Sequence, residues 1–253
     1  MATTSTASNV EFRIWRQETA DSPAHWEDFS VPASTGLNVI SALMKIRENP
    51  VTRDGQRVAP PVYDASCLEE VCGSCTMNIN GKARQACSTL VKDLETPITL
   101  EPLRKFPLVR DLSVNRQRMF DGLVKTKAWI PIDGSHDLGP GPRQDPHEQE
   151  WRYVLSTCMT CGCCLEACPN YGPQSDFLGP QVISQVRLMN THPTGQMHAE
   201  ERLEEIMGDG GVTDCGNAQN CVVACPKKIP LTTSLAEMFK ATTKKAIRDI
   251  FSR

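Results

Sequence analysis

The chain has 253 residues, 40% hydrophobic and 23% charged, a length for one or two domains with enough apolar material for real cores. A net charge of −3 and an isoelectric point near 6.0 argue against nucleic acid as the main partner, because phosphate binding wants a basic face. No run approaches the roughly 18 apolar residues of a membrane span, and Met1 to Asn9 lacks the charged-then-apolar pattern of a secretory signal; the expectation is a cytoplasmic chain, with docking on a membrane protein left open.

The first hundred residues read as β-rich. Val10, Phe12 and Ile14 alternate with Glu11 and Arg13, as in a half-buried strand. Thr35 or Asn38 is placed to cap a short helix carrying Leu37, Ile40, Leu43 and Met44 on one face and stopped by Asn49-Pro50. Asn80-Gly81 between Met77-Asn78-Ile79 and Ala83 onwards predicts a tight hairpin. Residues 102–116, with Pro102, Pro107 and mixed charges, read as a connector, and Pro131 to Pro146 as a surface loop rich in Gly, Pro and Asp. The second half reads as helical. Val182, Ile183, Val186 and Met189 form one apolar face, and Leu203, Ile206 and Met207 another before Gly208. Leu235, Met238, Phe239, Ala246 and Ile250 mark a long final helix with Thr242 the one polar residue on the stripe. The fold class expected is α+β: a β-rich domain over 1–112, then a helical domain over 113–253.

Twelve cysteines in a chain of this length, with no export signal, point to metal rather than disulfides. They fall in three groups. Cys67-x4-Cys72-x2-Cys75-x11-Cys87 has the plant-type 2Fe–2S spacing: four thiolates from a wrapping loop, with Gly73 and Ser74 small enough to let backbone N–H groups approach the sulfurs. A zinc site more often shows two matched C-x2-C pairs. Cys158-x2-Cys161-x2-Cys164-x3-Cys168-Pro169 is the bacterial ferredoxin run, whose fourth cysteine turns to a second cluster. Cys163 falls outside that repeat and reads as a small buried hydrophobe.

The third group, Cys215-x5-Cys221-x3-Cys225-Pro226, aligns with the second, with Ala218 where Cys161 stands. It is a second copy of the run with one ligand removed. Three thiolates and an alanine favour a 3Fe–4S cluster, with a 4Fe–4S cluster carrying water or substrate on its open iron as the alternative. Crossing the fourth cysteines gives Cys158, Cys161, Cys164 and Cys225 for a 4Fe–4S cluster, and Cys168, Cys215 and Cys221 for the 3Fe–4S cluster. Only Cys163 is left over.

Three clusters of different type most economically make a wire of one-electron carriers. Gly208 to Gly211 follows a helix rather than a strand and is no nucleotide fingerprint. The five histidines (25, 136, 147, 192 and 198) show no ligand spacing, so no catalytic residue is assigned, and substrate chemistry is expected on another subunit.

The order of clusters resembles the iron–sulfur subunit of succinate dehydrogenase and fumarate reductase. So does the wording of Cys67-Leu-Glu-Glu-Val-Cys72-Gly-Ser-Cys75, Asn80-Gly-Lys-Ala-Arg-Gln-Ala-Cys87, Cys158-Met-Thr-Cys161-Gly-Cys-Cys164-Leu-Glu-Ala-Cys168-Pro169 and Asn220-Cys221-Val-Val-Ala-Cys225-Pro226-Lys. The likeness covers roughly residues 10–240. It implies a β-grasp ferredoxin domain followed by a helical two-cluster domain, a flavoprotein partner with covalent FAD, and a membrane cytochrome b. Electrons would pass from FAD through 2Fe–2S, 4Fe–4S and 3Fe–4S clusters to a quinone, with the chain peripheral on the cytoplasmic side of the membrane and held by its anchor.

Family members that reduce ubiquinone commonly carry tryptophans after the second group's Cys-Pro and a histidine after the third group's first cysteine. Here those places are Asn170-Tyr171-Gly172-Pro173 and Gly216. Gly179-Pro180, Ser184-Gln-Val-Arg-Leu-Met and His192-Pro-Thr-Gly resemble members from menaquinone-using bacteria, which implies menaquinone and a di-haem (haem b) anchor. The quinone-site candidates are Pro169, Asn170, Tyr171, Gly216 and Ala218. The alternatives are a fumarate reductase subunit working in reverse, a free-standing ferredoxin-like carrier, and a zinc-stabilised interaction module.

Overall fold

The computed structural model describes residues 9–130 and 143–252, and the chain divides into two compact units, Met1–Asn115 and Arg116–Arg253. The first unit is built on strands β1 (Asn9–Arg16), β2 (His25–Pro32), β3 (Thr76–Ile79), β4 (Lys82–Gln85) and β5 (Ile98–Glu101), in the order β2-β1-β5-β3-β4. β1 and β5 run parallel; the other neighbours are antiparallel. Alternation puts Phe12 opposite Phe29 and buries Ile14 and Val31 with them.

Helix α1 (Val39–Glu48) adds Val39, Ile40, Ala42, Leu43 and Ile46 to the same core, the arrangement of a β-grasp. Its start is set by Asn38, whose Oδ1 accepts from the Ser41 N–H at 2.9 Å while Ser41 Oγ accepts from the Asn38 N–H at 3.1 Å. Leu37 is buried just ahead of the first turn, and Met44 lies outward, its expected place taken by Ala42 and Ile46. The hairpin between β3 and β4 turns on Asn80 (φ 48°) and Gly81 (φ 74°), both left-handed as the tight type I′ turn requires.

The stretch 102–116 is more than a connector. It carries the short antiparallel strands β6 (Leu108–Arg110) and β7 (Ser113–Val114), which stay with the first unit. Asp111 holds this hairpin in place. Only 2% exposed, its carboxylate accepts from the N–H groups of Gln17 (3.0 Å) and Val62 (2.9 Å). It also faces Arg16 Nε at 3.2 Å. Arg16 in turn pairs with Glu27 and donates to the Ala59 carbonyl at 3.0 Å. A buried ion cluster assembled from four distant segments leaves no periodic trace in the sequence.

The second unit is helical: α2 (Gln117–Lys125), α3 (Pro146–Ser156), α4 (Cys163–Glu166), α5 (Pro180–Thr191), α6 (Ala199–Met207), α7 (Asn220–Ala224) and α8 (Leu231–Phe251). Most of the loop expected from Pro131 to Pro146 lies outside the described residues. Its end is Asp145, which caps α3 through the His147 N–H at 2.9 Å, with Pro146 in the first turn. In α5 the buried residues include Val182, Ile183 and Val186 as expected.

The stripe of α8 is rotated from the expected one. Leu235, Met238, Thr242 and Lys245 are buried, whereas Phe239 is 52% and Ile250 71% exposed. Two polar contacts set this face: Ser234 Oγ meets Ser184 Oγ at 3.1 Å, and Lys245 Nζ lies 3.2 Å from Glu204 and 2.9 Å from Asp249. Arg202, fully buried, donates to the carbonyls of Lys127, Trp129 and Gly195 and to Asn190 Oδ1, so α6 pins the end of α2 and the turn after α5.

Arg16→Ala strips the counter-charge from the buried Asp111 and Glu27. The expected loss is about 3–5 kcal/mol of stability in the first unit, read by urea denaturation; a loss under about 1 kcal/mol would place the pair with exposed ones.

Candidate metal centres

None of the twelve cysteines is in a disulfide. In the first unit the loop from Cys67 to Cys75 bends through left-handed residues at Leu68 (φ 61°), Glu70 (φ 55°) and Gly73 (φ 70°). These turns aim successive N–H groups inward. Cys67 Sγ accepts from Glu69 (3.4 Å), Val71 (3.4 Å) and Cys72 (3.3 Å), Cys72 Sγ from Ser74 (3.4 Å), and Cys87 Sγ from Glu70 (3.3 Å). The Cys87 carbonyl accepts from Asn38 Nδ2 at 2.8 Å, so the cap of α1 also fixes the distal cysteine. Ser88 Oγ donates to Glu70 Oε1 at 2.8 Å and clasps the loop beside it.

Cys75 and Cys87 are buried, and Cys67 and Cys72 half-buried. Burial pushes the Cys75 thiol up to about 11. At Cys72 burial acts the same way, but hydrogen bonds with Ser74 and Cys67 outweigh it and bring that thiol down to about 6. Four thiols with convergent N–H donors are the donor set an electron-rich 2Fe–2S cluster needs.

In the second unit the sequence repeat is a backbone repeat. Thr160 (φ 51°) and Gly162 (φ 89°) bracket Cys161 in left-handed conformations, and Asn217 (φ 53°) and Gln219 (φ 63°) bracket Ala218 in the same way. Each pair leads into a short helix, α4 or α7. Ala218 therefore occupies the place of a ligand without a donor atom. Asn220 Nδ2 donates to the Ala167 carbonyl at 3.2 Å, joining the copies.

Two cavities lie beside these helices. One is lined by Cys158, Cys161, Cys164 and Cys225, with Gln181 and Ile229 among the remaining wall. The other is lined by Cys168, Cys215 and Cys221 together with Ala218, Pro169 and Asn170. Burial raises Cys164 well above its usual value, and Cys161, Cys158, Cys225 and, from the other set, Cys221 raise it further. Burial pushes Cys221 up to about 11, with Cys168 and Cys215 adding to it. Among the described residues no three Cys, His, Asp or Glu side chains converge on a single-ion position; the sulfurs surround spaces rather than points. Buried thiols that repel one another once ionised suit a multi-iron cluster, whose cations offset that repulsion.

Of the other candidates, Gly216 packs against Asn170: a Cβ at 216 would lie 2.9 Å from Asn170 Oδ1. Tyr171 is buried beneath the Arg118 guanidinium, 4.5 Å from the ring centroid, and is not part of the cavity wall. Cys163 is fully buried in α4. Of the histidines, His136 lies outside the described residues, and His192 Nδ1 accepts from the N–H groups of Thr194 and Gly195, both at 3.2 Å. In the sequence Asn38 is offered as a cap and Ser74 as a small residue of the loop, but Gln181 and Gln185 are not singled out, and a lone polar residue beside apolar ones is the only trace they leave.

A sulfur-binding loop on a β-grasp, followed by two thiol-lined cavities in a helical unit, defines an iron–sulfur protein with ferredoxin-type modules of both kinds. Residues 11–121 match the 2Fe-2S iron-sulfur cluster binding domain, and residues 154–229 the 4Fe-4S dicluster domain. Over 242 residues the chain is 57% identical to the succinate dehydrogenase iron-sulfur subunit of Bacillus subtilis, covering 96% of each. It is 33% identical to the fumarate reductase iron-sulfur subunit of Wolinella succinogenes, covering 87% of this chain and 90% of the relative. A chain of the Mycobacterium smegmatis Sdh1 complex in the apo form shares the fold, with a TM-score of 0.78 at 20% identity over 95% of this chain and 98% of that one. The chain belongs to the family of succinate dehydrogenase and fumarate reductase iron–sulfur subunits, the electron-transfer subunits of those oxidoreductases. Its identities favour the succinate dehydrogenase side.

In the cluster-free chain hydrogen bonds hold the Cys72 thiol low and burial holds the Cys75 thiol high. Iodoacetamide should therefore modify Cys72 well before Cys75, as read by fragment sequencing in a mass spectrometer; equal rates would show that the loop loses its N–H donors without iron.

Proposed function

We propose that this chain carries electrons from a flavoprotein partner with FAD to a membrane quinone, as the iron–sulfur subunit of a succinate:quinone oxidoreductase. Cys67, Cys72, Cys75 and Cys87 hold a 2Fe–2S cluster; Cys158, Cys161, Cys164 and Cys225 a 4Fe–4S cluster; Cys168, Cys215 and Cys221 a 3Fe–4S cluster. The observation that carries the reading is the pair of cavities in the helical unit, each walled by one crossed set of cysteines. Bound clusters supply one-electron carriers whose potentials follow type, hydrogen bonding and burial.

The residues of the chain do the rest. Left-handed turns at Leu68, Glu70 and Gly73 present N–H donors to the first set of thiolates. Ile229 and Leu231 line the cavity of Cys158, Cys161, Cys164 and Cys225, and Phe177 and Leu235 that of Cys168, Cys215 and Cys221, as apolar wall against water. Ala218 withholds a thiolate at the fourth corner, which favours three irons over four. Pro169, Asn170 and Ala218 line that cavity, with Gly216 behind Asn170. With Tyr171, these are the quinone-site candidates, and Asn170 and Gly216, in place of tryptophan and histidine, support menaquinone over ubiquinone.

Among the described residues no helix is long and apolar enough to cross a membrane. In this reading the subunit is peripheral, on the cytoplasmic side, held by a cytochrome b anchor with two haem b groups.

Low-temperature EPR of the purified complex tests the assignment: a 3Fe–4S signal when oxidised, and 2Fe–2S and 4Fe–4S signals on reduction. Absence of the oxidised-state signal would remove the third assignment, and efficient ubiquinone reduction without menaquinone reduction would remove the quinone reading. Ala218→Cys should convert the 3Fe–4S cluster to 4Fe–4S, lower its potential and slow quinone reduction while sparing succinate-dependent flavin reduction. Unchanged EPR there would show that cavity shape, not ligand count, excludes the fourth iron. Cys158→Ser should lose the 4Fe–4S cluster and destabilise the helical unit. Cys163→Ser should keep all three signals.

A further inference from the structure

We propose that the side-chain amide of Gln181 donates a hydrogen bond to the cluster held by Cys158, Cys161, Cys164 and Cys225 and raises its reduction potential, an inference that rests on the ligand assignment above. Gln181 is the second residue of α5, follows Pro180, and is 1% exposed. It lines the same cavity as those four cysteines. Both Nε2 and Oε1 are buried and have no hydrogen-bond partner among the described residues.

Its polar neighbours on α5 are all engaged. Ser184 Oγ meets Ser234 Oγ at 3.1 Å, and Arg187 Nη1 donates to Ser234 Oγ at 3.3 Å while its guanidinium lies 4.6 Å from the Trp151 ring centroid. Gln185 bonds to the Cys158 sulfur and opposes the rise that burial causes there. Gln181 is the exception on this helix face, and burying a primary amide without partners is strongly unfavourable. A leucine would fill the position without that penalty. An amide kept in such a place calls for a partner beyond the described protein atoms, and its cavity gathers four cysteines, with Lys227 the one charged residue on the wall.

The amide NH2 has two donor protons, and thiolate or sulfide sulfur is an acceptor. Reduction adds one negative charge to the cluster, so a donor bond stabilises the reduced form more than the oxidised form. The potential rises accordingly. Gln185 acts on a ligand thiolate of the same site; Gln181 supplies a second donor from one helical turn away.

The test is Gln181→Leu in the assembled complex, with potentials read by EPR-monitored redox titration and stability by thermal unfolding. The expected result is a 4Fe–4S midpoint lowered by tenfold or more in the reduced-to-oxidised ratio, about 59 mV per tenfold for a one-electron couple. The other two midpoints should stay in place, and the cluster should remain bound. Gln181→Glu, equal in shape but without the donor and with added negative charge, should lower the same midpoint further. An unchanged midpoint in both variants overturns the inference, as does a more stable Gln181→Leu complex with no shift, which would mark the amide as a plain packing defect. Loss of the cluster from both variants with helical structure retained also overturns it, because four thiolates suffice to hold a cluster that the amide merely tunes. If wild type itself shows no 4Fe–4S signal, the ligand assignment fails instead, and the two failures are told apart.

Discussion

The helical unit depends on an exchange. Each copy of the cysteine run sends its last cysteine to the other copy's cavity, so neither cavity has a complete rim from one stretch of chain. The helices that pack between the copies obey the same rule. At the start of α5, Pro180 lines one cavity and Gln181 the other; at the start of α8, Leu231 lines one and Thr232 and Leu235 the other. Contacts such as Ser184 with Ser234 then hold the two helix starts in register. A chain cut between the copies would leave two fragments without a full set of thiolates.

The two units handle the negative charge of thiolates by different physics. In the β-grasp, backbone N–H groups from a half-buried loop are turned onto the sulfurs, and the distal cysteine is fixed by the cap of α1. In the helical unit burial pushes the thiols of Cys158, Cys164, Cys221 and Cys225 up, and neighbouring sulfurs add to it. Bound iron relieves what burial imposes, so metal loading and folding of that unit are linked.

Much of this was legible in the sequence because it is written in local spacing. The strand at Val10–Ile14, the Asn80-Gly81 turn and the duplicated cysteine run each rest on residues a few positions apart. The gap at Ala218 was visible by alignment of the copies, and the left-handed residues on either side of it show the backbone keeping the shape of the missing ligand's site. What escaped were contacts between distant residues. Asp111 looked like one charge in a connector until Arg16, Gln17 and Val62 closed around it. Phe239 and Ile250 fit a 3.6-residue stripe, yet Ser234 and Lys245 found better partners and turned α8 so that those two face outward. Gln181 sat in an apolar helix start with nothing nearby in sequence to explain it.

The contact between Gly216 and Asn170 bears on how this subunit can be re-engineered. Any side chain at 216 brings a Cβ to 2.9 Å from Asn170 Oδ1, nearer than real Cβ atoms come. A change at 216 is therefore felt at 170: grafting a histidine there obliges the Asn170 side chain to swing aside on the wall it shares with Pro169 and Ala218. The two positions, 46 apart in the chain but adjacent across the repeat, are coupled, and a single-site swap at 216 also reads the response of the side chain at 170.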